Sequence, residues 1–204
     1  MTENCTMIIT TYNKPNLLRR ILTYYNKCKF DNKIIVADTS SKENKKENKK
    51  IISNCKNLDI FYLTEFPTID EFPGASGQFV KIADATEQVE DEYCLTCADD
   101  DFIIPEGIKK SVDFLEKNSD FVIAQGQHLS FSITDEAFHW NYPPKIDSNI
   151  HSDPASRLLQ HFSKYTLTIY AVHKTEIMNK IWKETTRTKN LGVFGELTAS
   201  MLTP

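Results

Sequence analysis

Short apolar runs alternate along the first half of the chain with longer segments in which apolar residues recur at helical spacing. Such runs predict buried strands, and the periodic segments predict amphipathic helices. Strands are predicted at residues 7–11, 33–37, 58–63 and 93–98. Helices are predicted after Pro15, over residues 78–89 and after Pro105. Residues 41–50 are predicted to be a polar loop that leads into a further helix, which reaches Asn54. This alternation favours an α/β fold with a mostly parallel central sheet flanked by helices.

The second half of the chain has a mixed pattern. Strands are predicted at residues 121–124 and 167–172, and a hairpin at 129–133 and 137–142. Helices are predicted after Asp153-Pro154, over 176–182 and from Gly195. Residues 118–204 therefore predict a smaller mixed β/α region that completes a single domain over residues 1–204. The last predicted helix begins close to Pro204. We therefore expect that a C-terminal part of the domain is missing.

Composition narrows the class of protein. The 204 residues are 40% hydrophobic and 25% charged, as expected of one compact domain. A net charge of -4 gives no overall basic field, so we expect no nucleic-acid partner. No window is apolar over 18 residues and the N-terminus does not resemble a signal peptide, so the sequence predicts a cytoplasmic protein without a transmembrane segment. Five scattered cysteines favour the same reducing compartment.

Three consecutive carboxylates, Asp99, Asp100 and Asp101, follow the predicted strand 93–98. Adjacent carboxylates repel one another unless water or a cation separates them. Ligands of open α/β sheets bind where strands end, and Mg²⁺ or Mn²⁺ prefers oxygen ligands. The triplet is therefore either a metal–diphosphate site or a solvated acidic turn, and an acidic triplet alone favours the turn.

Two other polar loops are predicted beside this triplet. Residues 10–14 and 38–40 each follow a predicted strand of the same sheet. Because parallel strands end at one edge of a sheet, we expect both loops to meet residues 99–101 in a pocket.

Four segments of the chain resemble family 2 glycosyltransferases with the A-type (GT-A) nucleotide-sugar fold. They are residues 8–14, 34–40 and 92–101, and the late Gly195-Glu196. The resemblance implies a Rossmann-like GT-A domain in which residues 1–117 form the nucleotide-binding half and residues 118–204 the acceptor-side half. It also implies transfer of a sugar from a nucleotide-diphospho-sugar, expected to be a UDP-sugar, with Mn²⁺ or Mg²⁺ as cofactor.

The acceptor implied by the resemblance is a hydroxyl group of a saccharide or a lipid-linked saccharide. Such a role belongs to bacterial glycan biosynthesis. It implies a cytoplasmic location at the inner face of the membrane, with peripheral association where the acceptor is lipid-linked.

The resemblance also implies roles for individual residues of the donor site. Thr10 and Tyr12 would bound the uracil and ribose pocket, Asp38 would accept a hydrogen bond from the base, and Lys14 would approach the phosphates. In the register anchored on Pro105, Asp99 lies near the ribose, Asp100 is the main metal ligand and Asp101 supports either. The alternative register makes Asp99 and Asp101 the D-x-D motif, with Ala98 outside it.

Two further residues have roles implied by the resemblance. Glu196 matches the place of the catalytic base, although this chain has Glu-Leu where many members have Glu-Asp. One base on the face opposite the leaving group implies inversion at the anomeric carbon. His173 matches a basic residue near the diphosphate, with a structural histidine as the equal alternative.

Three alternatives remain open at the level of the sequence. The chain is a non-catalytic nucleotide-sugar-binding module if the Glu-Leu departure removes transfer. Clustered aspartates are also compatible with a nucleotidyltransferase or a metal phosphohydrolase, although residues 12–15 do not form the glycine-rich basic loop that a nucleotidyltransferase needs. Trp140 either stacks on an acceptor sugar or belongs to a core or dimer surface.

Overall fold

A computed structural model describes residues 4–72, 74–143, 145, 147–188 and 190–203. In the first half, strands and helices alternate as the pattern predicts. The strands are β1 (Cys5–Thr11), β2 (Ile34–Asp38), β3 (Ile60–Leu63) and β4 (Tyr93–Ala98). The helices are α1 (Pro15–Lys27), α2 (Lys42–Ser53), α3 (Ser76–Thr86) and α4 (Pro105–Lys117), with a 3₁₀ turn at Ile69–Glu71.

The second half adds short strands and three helices. The strands are β5 (Ile123–Ala124), β6 (Ser130–Ile133), β7 (Phe138–Asn141) and β8 (Val172–Lys174). The helices are α5 (Pro154–Ser163), α6 (Thr175–Thr185) and α7 (Leu191–Met201). The predicted hairpin is confirmed, since β6 and β7 pair antiparallel as a separate two-stranded sheet.

The central sheet has the strand order β3-β2-β1-β4-β8-β5. Strands β1 to β4 are mutually parallel, whereas β8 pairs antiparallel with both β4 and β5. The predicted mostly parallel sheet is therefore confirmed. Successive side chains of a strand point to opposite faces. Met7 and Ile9 pack with the apolar faces of α1 and α4, and Ile8 packs with Ala85 of α3 on the other side.

Local sequence signals explain several helix starts. Pro15, Pro105 and Pro154 each occupy the first turn of a helix, where a missing N–H costs nothing. Asp153 caps α5 by accepting a hydrogen bond from the Ser156 N–H at 2.8 Å. The predicted polar loop over residues 41–50 is wrong. Ser41 caps α2 through the Asn44 N–H at 3.3 Å, and the charged residues after it form the solvated face of that helix.

Two predicted boundaries in the second half are also wrong. The strand predicted at 167–172 is a turn closed by the Ala171 N–H and the Thr168 carbonyl, 2.9 Å apart, and β8 starts only at Val172. Helix α7 begins at Leu191 rather than at Gly195. Gly195 therefore lies within the helix. A larger residue would not fit there, because a Cβ would be 2.6 Å from the Phe79 ring. The role of Gly195 is close packing of α7 on α3.

Candidate active site

The loops that follow β1, β2 and β4 meet at one edge of the sheet, which confirms the predicted convergence. The Asn13 N–H donates to Ser40 Oγ at 2.7 Å, joining the first two loops. The Thr11 hydroxyl donates to Asp99 Oδ2 at 2.6 Å, joining the first loop to the acidic triplet. Thr11 lies level with Asp38 in the parallel register, and Thr10 lies level with Ala98. Polar groups that follow three strands therefore lie together at this edge of the sheet.

The three carboxylates of the triplet have three different environments. Asp99 is only 4% exposed and accepts the Thr11 hydroxyl. Burial raises the pKa of Asp99, and this effect is opposed by the Thr11 hydrogen bond and by the charge of Lys14. Asp99 is therefore a buried carboxylate held in place by a hydroxyl, not part of a solvated acidic turn.

Asp100 lies on the open side of the site. Its Oδ2 is 3.4 Å from Lys14 Nζ, and both side chains are about half exposed. Arg20 holds the backbone here by donating from Nη2 to the Asp100 carbonyl at 2.8 Å. The Arg20 guanidinium also lies 5.1 Å from the centre of the Phe102 ring. The loop is thus fixed through its backbone while the Asp100 carboxylate stays accessible.

Asp101 lies beside Tyr170, which belongs to the second half of the chain. Burial raises the pKa of Tyr170, and the charge of Asp101 and a hydrogen bond with it add to the effect. Over the described residues, no three His, Cys, Asp or Glu side chains form a group that would hold a metal ion by themselves. Magnesium sites commonly use one or two carboxylates together with substrate phosphates and water, so Asp100 and Asp101 fit a metal that arrives with a diphosphate.

Asp38 lies at the end of β2, as predicted, and its carboxylate is held by contacts inside the protein. Its carboxylate is fully buried and accepts hydrogen bonds from the Ser40 N–H at 2.7 Å, Asn48 Nδ2 at 2.8 Å and the Tyr62 hydroxyl at 2.5 Å. These contacts join the end of β2 to α2 and β3. The carboxylate therefore shapes the loop at residues 38–40 from inside the protein.

Thr10 and Tyr12 lie on the β1 side of the site. Thr10 is buried, and its hydroxyl accepts a hydrogen bond from Gln78 Nε2 at 2.9 Å. Tyr12 is 60% exposed, so its ring is free to stack on a planar group.

Lys81 is a site residue that sequence reasoning missed. Its side chain is 1% exposed, and its ammonium donates to the Thr11 carbonyl at 3.0 Å and to Thr39 Oγ1 at 3.4 Å. Burial lowers the pKa of Lys81 to about 8, although Asp38 and Asp99 act in the opposite direction. The signal in the sequence is a lysine within the otherwise apolar segment 79–83. It places a positive charge directly beneath the converging loops.

The structure separates His173 from the triplet. His173 pairs with Cys94 across β4 and β8, five residues before Asp99. At about 3.3 Å per strand residue, Cys94 and Asp99 are roughly 16 Å apart along the chain. Burial lowers the pKa of His173 to about 4, and Nδ1 contacts the Ala171 carbonyl at 2.8 Å. His173 is therefore a buried residue near the opposite end of β4 from the triplet.

Glu196 is exposed on α7 and follows the packing residue Gly195. The first turns of α7 contact the start of α3, where a Cβ on Gly192 would lie 3.1 Å from Ser76 Oγ. Gln78 of the same α3 turn reaches Thr10. Glu196 therefore lies on the helix that borders the β1 side of the site, with its carboxylate open to solvent.

Comparison with known proteins supports this geometry. The Glycosyl transferase family 2 model matches residues 6–181. This chain belongs to glycosyl transferase family 2. The match runs from β1 into α6 and includes the three converging loops. No curated protein matches the chain significantly. None of the helices in the described ranges is long and apolar enough to cross a membrane.

Solved structures show the same fold. S. aureus TarS 1-349 is 17% identical with a TM-score of 0.62, and the match covers 97% of this chain and 55% of that one. TarS 1-349 in complex with UDP-GlcNAc is 19% identical with a TM-score of 0.54, covering 87% of this chain and 47% of that one. The chain thus spans about half the length of these neighbours. The predicted GT-A fold and family are confirmed.

Proposed function

We propose that this protein is a metal-dependent glycosyltransferase that moves a sugar from a UDP-sugar to a hydroxyl group of a saccharide or lipid-linked acceptor, with inversion. The observation that carries the proposal is the meeting of the β1, β2 and β4 loops around Asp99, Asp100 and Lys81 in a family 2 chain. The UDP-GlcNAc complex of a structural neighbour supports a UDP-sugar as the donor. Action on bacterial glycans in the cytoplasm, at the membrane surface for a lipid-linked acceptor, is part of the same proposal.

In this proposal the nucleoside binds along the β1 loop. The exposed ring of Tyr12 stacks on the base, and Thr10 closes the pocket beneath it. Asp99 accepts a hydrogen bond from a ribose hydroxyl, and Thr11 holds the Asp99 carboxylate in place. Asp38 acts indirectly. It fixes Ser40, and Ser40 in turn fixes the backbone next to Tyr12 through Asn13.

The diphosphate occupies the space between acidic and basic groups. Asp100 and Asp101 would hold Mn²⁺ or Mg²⁺, and such an ion would supply positive charge to stabilise the leaving diphosphate. Lys14 contributes its exposed ammonium to the phosphates, exchanging its contact with Asp100 for one with the substrate. Lys81 adds a fixed positive charge from beneath.

Glu196 takes the proton of the acceptor hydroxyl. Its carboxylate is solvent-exposed and therefore open to an acceptor that approaches from solution. A single base on the acceptor side allows one direct displacement at the anomeric carbon, and one displacement inverts the configuration. Retained configuration in the product would refute this role of Glu196.

The direct test is a thermal-shift measurement with UDP and GDP, each with and without Mn²⁺. We expect UDP with Mn²⁺ to raise the melting temperature more than either alone, and Asp100→Asn to abolish the part that depends on Mn²⁺. Asp120→Asn is the matched control because Asp120 is exposed and lies beyond the far end of α4. A wild-type protein without metal-dependent nucleotide stabilisation would refute the proposal.

The departure from Glu-Asp to Glu-Leu at residues 196–197 favours one second candidate, a binding module without transfer. Both candidates predict binding of UDP with Mn²⁺. Only the transferase releases UDP from a UDP-sugar in the presence of a panel of saccharide acceptors, so a coupled UDP-release assay separates them.

A further inference from the structure

The β6–β7 hairpin is an amphipathic two-stranded sheet, separate from the central sheet, with an exposed apolar face. All eight of its strand residues are exposed. The register places Phe131 opposite Trp140 and Ile133 opposite Phe138 on one face. The other face carries only polar side chains, from Ser130, Ser132, His139 and Asn141. Such alternation is typical of a sheet with one buried face, yet Trp140 is 62% and Ile133 is 74% exposed.

A two-stranded hairpin is at best marginally stable in water by itself, so this face needs a cover. The apolar stripe is internally ordered, with the Phe131 and Phe138 rings stacked at 5.7 Å. Tyr142 extends it by an edge contact with Trp140 at 5.8 Å. We propose that the cover is a second copy of this chain, bound through the same face in a two-fold symmetric dimer.

The area of the stripe suits a protein partner. Leu129, Phe131, Ile133, Phe138, Trp140 and Tyr142 are each about half exposed or more. With about 150–250 Å² for a whole aromatic side chain, the six offer roughly 700–800 Å². A standard protein interface buries about 800 Å² on each partner.

The charges of the hairpin favour an antiparallel pair of copies. Its tip, the turn from Thr134 to Ala137, carries Asp135 and Glu136. Its base is tied by Gln127 Nε2 donating to the Pro143 carbonyl at 2.6 Å, and exposed Lys145 follows two residues later. When two hairpins pack face to face and antiparallel, Asp135 and Glu136 of each copy meet the end of the other hairpin, where Lys145 lies. An isologous contact of this kind closes at two copies.

The same features of the hairpin disfavour two other binding partners, a lipid surface and a saccharide. A lipid surface would have to accept the two carboxylates at the tip, which is costly in an apolar phase and unfavourable beside anionic headgroups. A saccharide needs hydrogen-bond partners for most of its hydroxyl groups, and the stripe offers only the Trp140 N–H and the Tyr142 hydroxyl, since Ser130, Ser132, His139 and Asn141 lie on the opposite face.

Sedimentation velocity of the whole chain over a range of concentrations tests the dimer. We expect a monomer–dimer equilibrium in which Trp140→Glu raises the dissociation constant at least about tenfold. Ser132→Glu adds the same charge to the opposite face of the hairpin and should change the constant less than about twofold. Both substitutions alter exposed side chains, so folding of the monomer should be retained.

A charge-reversal series tests the antiparallel arrangement. Asp135→Lys with Glu136→Lys should weaken the dimer, and adding Lys145→Glu should restore it. A wild-type chain that stays monomeric at every concentration would overturn the proposal, as would equal effects of Trp140→Glu and Ser132→Glu. Monomeric protein that co-sediments with phosphatidylglycerol vesicles, and loses this with Trp140→Glu, would assign the stripe to lipid instead. None of these outcomes depends on the donor site.

Discussion

Replacing Lys81 by methionine should remove a pH-dependent free-energy cost that burial of the ammonium imposes on the folded protein. The ammonium of Lys81 is almost completely buried, and burial lowers its pKa from 10.5 to about 8. At about 1.4 kcal/mol per pKa unit, this shift corresponds to about 3 kcal/mol of unfavourable free energy for the charged form in the folded protein. Methionine has a similar length and carries no charge.

The direction of the pH effect follows from proton binding. Below pH 8, Lys81 is protonated in both the folded and the unfolded chain, so the full cost is present. Between pH 8 and 10.5 the folded protein loses this proton while the unfolded chain keeps it, so wild-type stability rises with pH through this window. Lys81→Met lacks this rise.

Urea unfolding of both proteins at pH 7 and at several values up to pH 10.5 measures the difference. All other titrating groups are shared and cancel when wild type is compared with Lys81→Met. We expect the stability of wild type relative to the variant to increase by about 3 kcal/mol across the window. A difference that stays constant within about 0.5 kcal/mol, the usual size of a surface effect, would refute the description of Lys81 as a buried charge.

Two further substitutions test the catalytic side and the packing of the site. Glu196→Gln should reduce the rate of sugar transfer by about 10²–10⁴-fold, the usual contribution of a general base. Stabilisation by UDP and Mn²⁺ in a thermal-shift assay should stay unchanged. Equal loss of transfer and of stabilisation would indicate a folding role for Glu196 instead. Gly195→Ala should destabilise the protein by about 1–3 kcal/mol in urea unfolding, because the new Cβ would be 2.6 Å from the Phe79 ring. Its matched control, Gly107→Ala in α4, has nothing within 4 Å of the new Cβ and should be neutral or stabilising by up to about 1 kcal/mol.

The parallel core of the fold was predictable because each of its strands is a short apolar run between turn signals. The convergence of the loops at residues 10–14, 38–40 and 99–101 followed from it, since parallel strands end at one edge. The strand predicted at residues 167–172 was wrong because its apolar side chains pack in a turn, and periodicity does not distinguish a buried turn from a strand.

The side-chain positions that could not be predicted from the sequence depend on contacts between distant elements. Lys81 is one charged residue in a helix, and nothing local shows that its side chain is directed beneath the β1 loop. His173 matched a family position by order along the chain. Its location depends on the antiparallel register of β8 against β4, which brings it level with Cys94 at the other end of the strand. Asp38 was correctly placed at a strand end, but the Asn48 and Tyr62 contacts that turn its carboxylate inward come from distant elements.

The charges at the sheet edge explain why metal and nucleotide should bind together. A diphosphate without a cation would face the carboxylates of Asp99, Asp100 and Asp101, and a divalent cation without a diphosphate would face the ammonium groups of Lys14 and Lys81. Each ligand therefore neutralises the charge that disfavours the other. Free-energy coupling between two ligands is reciprocal, so metal must strengthen nucleotide binding by the same factor as nucleotide strengthens metal binding.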